Sequence, residues 1–225
     1  MVPVIPKSAP QAWLDEIASA NPADSNQDGR GYSYLRTNGV SPGDARSVDD
    51  GLPSVSFSGK SYWTDKSVGL GRQFNHFLCE QYDQMDAYTG LFVSVAQIID
   101  VEHFWPKSKY PGLAYEWSNY RLSYKRINSA KSTHVDLQDP FTCQPRQFLL
   151  NFLTFKVSPN EDFPADVVSR TERTIDRLKL NREALIQQRA FAFFEDFQRV
   201  LISQPELMRQ KSIFVYEEAK AQGYI

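Results

Sequence analysis

Between residues 102 and 131 the chain sets a carboxylate, an imidazole, two carboxamides and an ammonium in the order Glu102, His103, Asn119, Asn128, Lys131. Those types suffice for hydrolysis at a phosphate. Breaking a phosphodiester needs a base for the attacking water, a cation to neutralise the phosphorane, and help for the leaving oxygen. The imidazole of His103, with an ordinary pKa of about 6.5, suits the first task at neutral pH. Glu102 and Asn128 are hard oxygen donors for one Mg2+ or Mn2+ ion, which keeps its other positions for water and phosphate. Strict strand alternation puts Asp100 and Glu102 on one face and His103 on the other, so Glu102 and His103 share a site only if the chain bends at Phe104 to Pro106. Asp100 is therefore the second-choice ligand.

The elements that must hold these groups are readable around them. Leu91 to Phe104 is rich in β-branched and aromatic residues and reads as a strand stopped by Pro106. A loop follows from Lys107 to Ser118; Asn119 to Tyr124 alternates like a second strand, and Lys125 to Lys131 continues as a helix. Upstream, Phe74, Phe77, Leu78 and Tyr82 fall at helical spacing between Arg72 and Met85, with Cys79 as packing. Downstream, a strand pair is expected around Gln147 to Val157, then amphipathic helices over Val167 to Ser203. Asn181 interrupts them as a candidate cap. The stripe Phe191, Phe193, Phe194, Phe197 reads as helical core.

The chain has 225 residues, 41% of them hydrophobic, enough for a full core. A formal charge of -2 carries no global basic signature, so affinity for nucleic acid has to be local. Residues 101 to 135 hold six Lys or Arg against two acids. Of these, Lys107, Arg126 and Lys131 flank the proposed site as phosphate contacts, and a merely solvated face is the competing account. Tyr110, Tyr115 and Trp117 lie among the charges and could stack on unpaired bases, although core packing is favoured. His76 and His134 have no partner pattern and are expected at the surface or in packing. Two cysteines, Cys79 and Cys143, are too few for a disulfide framework and suit a reducing, cytoplasmic setting. Three of the first ten residues are proline and the start has no apolar run, so neither a signal peptide nor a span is expected there, and no later run reaches the roughly twenty apolar residues of a membrane span. No membrane partner is expected.

Residues 1 to 70 are rich in Gly, Pro, Ser, Asp and Asn and read as an irregular arm with one short helical candidate, Trp13 to Ile17. Within it, Asp24-Ser25-Asn26-Gln27-Asp28-Gly29 starts like a calcium loop, but the twelfth position is Leu35 instead of a bidentate Glu. An Asx-turn loop without calcium is the better reading.

The run Val101-Glu102-His103-Phe104, Pro106-Lys107-Ser108, Tyr110-Pro111, Tyr115-Glu116-Trp117-Ser118-Asn119 and Asn128-Ser129-Ala130-Lys131 resembles the HNH endonuclease family. Within it, the likeness is to the HNH proteins of bacterial anti-phage operons of the Septu and retron kind; weaker likeness extends to Leu178-Lys179-Leu180-Asn181 and Arg189. The resemblance implies an α+β protein. A ββα-metal finger over residues 71–143 would sit between the irregular arm (1–70) and a mainly helical C-terminal region (144–225). It makes His103 the general base, Asn119 the brace of the loop and holder of the imidazole, Asn128 a metal ligand, and Glu102 the acidic ligand. The implied reaction cuts nucleic acid, DNA foremost, leaving a 5'-phosphate and a 3'-hydroxyl, with an ATPase or retron complex as partner. The alternative is a catalytically silent HNH-like binding or assembly subunit. Many members carry two Cys pairs around a structural zinc; here Asp86 to Gly90 replaces the first pair, and Tyr124 and Ile127 replace the second. No structural zinc is expected, and Tyr88, Tyr124 and Ile127 should pack in its place.

Overall fold

The computed structural model describes residues 1, 3–18, 30–57, 77–93, 99–199 and 205–225. The calcium-like loop, Phe74 and His76 lie outside them. The described chain is α+β, with small antiparallel sheets among helices.

The N-terminal third supplies α1 (Gln11–Trp13), which runs on as a wide turn over Leu14–Ala18, and α2 (Arg30–Thr37). Residues 77–81 form α3. Strand β1 (Ile99–His103) pairs antiparallel with β2 (Tyr120–Tyr124), in a register that sets His103 opposite Tyr120 and Glu102 opposite Arg121. Helix α4 (Lys125–Lys131) follows without a linker. Its Ile127 and Lys131 are four residues apart, share one helix face and are both fully buried. Strands β3 (Phe148–Leu150) and β4 (Val157–Pro159) make a second hairpin. Four helices complete the chain: α5 (Ala165–Arg177), α6 (Glu183–Arg199), α7 (Pro205–Lys211) and α8 (Ile213–Ala221).

Two expectations change. The strand foreseen from Leu91 to Phe104 is regular only over Ile99–His103, and residues 94–98 lie outside the described set. Leu91 and Phe92 instead bridge to Ser212 and Met85, on either side of the tight turn closed by Gly90 at φ +62°. Asn181 does not cap α6. Its carboxamide both accepts from Val157 N (2.7 Å) and donates to Val157 O (2.8 Å), imitating a strand partner for β4.

The hairpin β1–β2 lies between two cores. Trp13, Ile17, Leu35, Val40, Leu52 and Val55 from the N-terminal segments bury against Leu78, Tyr115, Trp117, Tyr120 and Leu122. The N-terminal region is thus a packed layer, because its scattered apolar residues find one surface between them. Phe148, Leu150, Ile175, Leu178, Leu185, Phe193 and Phe214 form the other core, which reaches Tyr88 and Ile127. Of the stripe on α6, Phe193 is buried while Phe191 and Phe194 are exposed.

Candidate active site

The Glu102 side of β1 faces α4, as strand alternation requires. Glu102 is 1% exposed; Oε1 lies 2.8 Å from Lys131 Nζ and Oε2 accepts from the Tyr88 hydroxyl at 2.8 Å. Burial raises its carboxyl above the ordinary carboxylate range, and Lys131 opposes that rise. Lys131, also sealed, donates to the His103 and Phe104 carbonyls at 3.2 and 2.8 Å. It is the strut that fixes the bend after the strand. The expectation that Lys131 meets a phosphate backbone is corrected on this point: its ammonium is enclosed and fully used. Two residues back on β1, half-buried Asp100 accepts from Asn128 Nδ2 through Oδ2 at 3.1 Å. The carboxylate beside Asn128 is therefore Asp100.

His103 points to the other face of the hairpin. Its ring meets Tyr120 edge-on, with centroids 5.2 Å apart, and Nε2 lies 2.9 Å from the Ala114 carbonyl, which also accepts from the Tyr120 hydroxyl at 3.0 Å. A carbonyl only accepts, so Nε2 carries the proton and Nδ1 the lone pair. Burial and then the positive charge of Lys107 push the imidazole pKa down to about 3, so the ring is neutral throughout the physiological range. Lys107 stands over the Phe57 ring, 5.6 Å from its centroid, and burial lowers its own pKa to about 8. Arg126, on the outer side of α4, is exposed.

Asn119 staples the loop between the strands. Its Oδ1 accepts from Trp105 N (2.7 Å), and Nδ2 donates to Trp105 O and Leu113 O (both 2.9 Å). One buried carboxamide thereby closes both ends of the turn that leaves His103, one residue from the Ala114 carbonyl that meets the imidazole. The loop is strapped from outside as well. Gly43 N donates to Gly112 O at 2.9 Å, Val48 N to Lys109 O at 2.8 Å, and the Tyr32 hydroxyl to Glu116 Oε1 at 2.9 Å. Gly112 is obligatory there, because a Cβ would come within 2.4 Å of the Asp44 carbonyl oxygen. Tyr115 and Trp117 are buried in this packing, and the Trp117 indole donates to Lys7 O. Trp105, by contrast, is 37% exposed.

At the turn 86–90 a carboxylate organises the chain. Buried Asp86 accepts from Tyr88 N, Thr89 N and the Thr89 hydroxyl through Oδ1, and from Tyr124 N through Oδ2 at 2.7 Å. Tyr88 and Ile127 are fully buried beside it, with Tyr124 packed against the same core. Burial still holds the Asp86 carboxyl above its ordinary range. Cys79 and Cys143 are buried free thiols, and among the described residues no three His, Cys, Asp or Glu side chains gather as a metal cluster. The Asp-x-x-Thr spacing of this turn was a legible signal for Asp86. The Tyr88 contact to Glu102 had none, because it joins segments fourteen residues apart.

No family model matches the chain. A stretch of 45 residues, 20% of this chain, is 42% identical to the Septu protein PtuB of Bacillus thuringiensis. The match spans 18% of that protein's length.

Proposed function

We propose that the chain is a metal-dependent endonuclease of the HNH kind that hydrolyses phosphodiester bonds, of DNA foremost, within a Septu-like anti-phage system. The observation that carries the reading is the Asn119 staple. It fixes the turn that follows His103 at the end of β1, so that a base, a rigid loop and a helix-borne carboxamide belong to one hairpin–helix unit. The partial likeness to a Septu protein supports the biological setting; a partner of the ATPase or retron type is part of the same proposal.

His103 would take a proton from water through Nδ1, with Nε2–H held by Ala114. A pKa of about 3 makes the ring a weak base in isolation. A phosphate bound at Lys107 would offset the nearest positive charge and strengthen it. For a hard cation the fitting pair is Asp100 with Asn128, which are half-buried and already adjacent, whereas both Glu102 oxygens are committed; this pair lies on the face of β1 opposite the His103 ring, so ion and imidazole would serve one phosphate only across the end of the strand. A bound divalent ion would supply charge neutralisation at the phosphorane. Arg126 and Lys107 remain as phosphate contacts.

Incubating the protein with plasmid and with single- and double-stranded oligonucleotides, plus Mg2+ or Mn2+, tests the reading. His103→Ala should lose about two to four decades of rate; a loss under tenfold would remove His103 as the base. The enclosure of His103 and the commitment of Glu102 favour a second reading, a catalytically silent nucleic-acid-binding or assembly subunit. Nucleic-acid binding with no cleavage under any metal would select it.

A further inference from the structure

Immediately past His103 the chain forms one wall of an open cleft of about 460 Å3, inside the range of roughly 300 to 1,000 Å3 common for small-ligand sites. Trp105 lines it together with Arg170 and Arg173 of α5, Asp136 and Asp139. The indole is braced on several sides. Its backbone is pinned at both N–H and C=O by Asn119, and its ring is braced edge-on by Phe104 at 5.4 Å and Tyr110 at 5.0 Å. It is nevertheless 37% exposed.

Helix α5 is anchored from its other side. On the inner side of α5, the Thr171 hydroxyl accepts from Gln147 Nε2 at 2.8 Å and the Thr174 hydroxyl from Gln138 N at 2.7 Å. The two arginines look outward, with side chains 43% and 49% exposed. Their ion pairs are long: 3.8 Å from Arg170 to Asp166 and 3.6 Å from Arg173 to Asp136. Exposed pairs of that length contribute little and exchange readily for another anion. Asp139 is a different case, because it is held by Arg121 through bonds of 2.9 and 2.7 Å and exerts little free charge on the cleft.

A braced, partly exposed aromatic ring and two half-exposed guanidinium groups lining one cleft, with Arg173 also donating to the Ser169 hydroxyl at 2.8 Å, are the equipment for holding an unpaired base and its phosphates. A paired base offers no free face to such a ring without leaving the stack. We propose that this cleft seats one unpaired nucleotide of the substrate strand at the turn that follows His103 in the chain, its base stacked on Trp105 and its flanking phosphates on Arg170 and Arg173. The inference rests on the nucleic-acid reading above and narrows it to single-stranded or locally opened substrate. Asp136 is the internal competitor, occupying Arg173 while the seat is empty.

Binding without catalysis tests this. Fluorescence anisotropy would be measured in EDTA with a labelled single-stranded 12-mer, its duplex, and the same strand carrying abasic sites. The intact single strand should bind about tenfold more tightly than either of the others. Trp105→Ala should lower single-strand affinity roughly tenfold, Trp105→Phe much less, and neither should change duplex affinity. The double variant R170Q/R173Q should weaken intact and abasic strands alike and flatten the salt dependence. Asp136→Asn should tighten binding. Equal affinity for duplex and single strand, or Trp105→Ala binding like the wild type, would overturn the proposal. If Trp105→Ala fails to fold, the arginine and Asp136 variants decide. Single-strand binding with these dependences but no cleavage would sink the nuclease reading and keep the seat; cleavage indifferent to Trp105 and to both arginines would do the reverse.

Discussion

The Lys131 ammonium lies 2.8 Å from a Glu102 carboxylate oxygen, with both side chains shut away from water. Removing one member of a buried pair leaves the other uncompensated, at a cost of about 3 to 5 kcal/mol. Lys131→Met should therefore lower the urea midpoint steeply, and adding Glu102→Gln should restore part of the loss. A single variant within about 1 kcal/mol of the wild type would mean that the pair is not sealed in solution.

His103 gives the fold a specific acid sensitivity. Its pKa of about 3 when folded is below the ordinary 6.5, so folding excludes the charged ring. The stability from this exclusion is complete above pH 6.5 and is lost as pH falls from 6.5 toward 3. The total is on the order of 5 kcal/mol. Glu102 and Asp86, whose carboxyls are raised, act with the opposite sign. Comparing wild type with His103→Gln isolates the imidazole: the wild-type stability should fall more steeply across that window, and parallel curves would refute the burial.

Metal dependence should separate the carboxylates. Asp100→Asn and Asn128→Ala should each raise the Mg2+ concentration needed for half-maximal cleavage by about tenfold or more, since each removes an oxygen donor. Glu102→Gln, normalised to folded protein, should leave that concentration nearly unchanged. The reverse ordering would return Glu102 to the ligand set and imply that the Lys131 contact opens when metal binds.

Asp86 closes the turn 86–90 through three hydrogen bonds and ties it to the end of β2 through a fourth, from Tyr124 N. Asp86→Ala leaves several buried donors unmatched, each costing about 1 to 3 kcal/mol. Loss of cooperative unfolding is the expected result, read by near-ultraviolet circular dichroism during urea titration. A variant that melts like the wild type would show that the turn is held by Tyr88 and Ile127 packing alone.

The succession strand, loop, strand, helix from residue 99 to 131 could be read because each segment carries its own local pattern: alternation in Tyr120–Tyr124, turn residues at Pro106 and Pro111, and a run free of Gly and Pro over Lys125–Lys131. The special place of Asn119 was legible only through its resemblance to known motifs. What escaped were matters of direction and distant partners. Sequence spacing puts Lys131 near the site but does not say that Glu102 and two carbonyls enclose it. Nor does it say that Tyr115 and Trp117 turn inward while Trp105 stays exposed, since all three sit among the same charges. The apolar residues of the first 57 positions are too scattered to show periodicity, and they become a core only by sharing the outer face of one hairpin.

The close approach of Gly112 to Asp44 couples two stretches of chain nearly seventy residues apart through a single missing methyl group. Position 112 can accept a larger residue only if the strand of backbone at 43 and 44 retreats, and that retreat would release the loop above the imidazole. Drift at the two places is therefore correlated. Descendants of this chain that shorten or reroute the 41–50 segment are free to vary at 112, and those that keep the segment are held to glycine, so the pair forms a covariation marker for an intact loop.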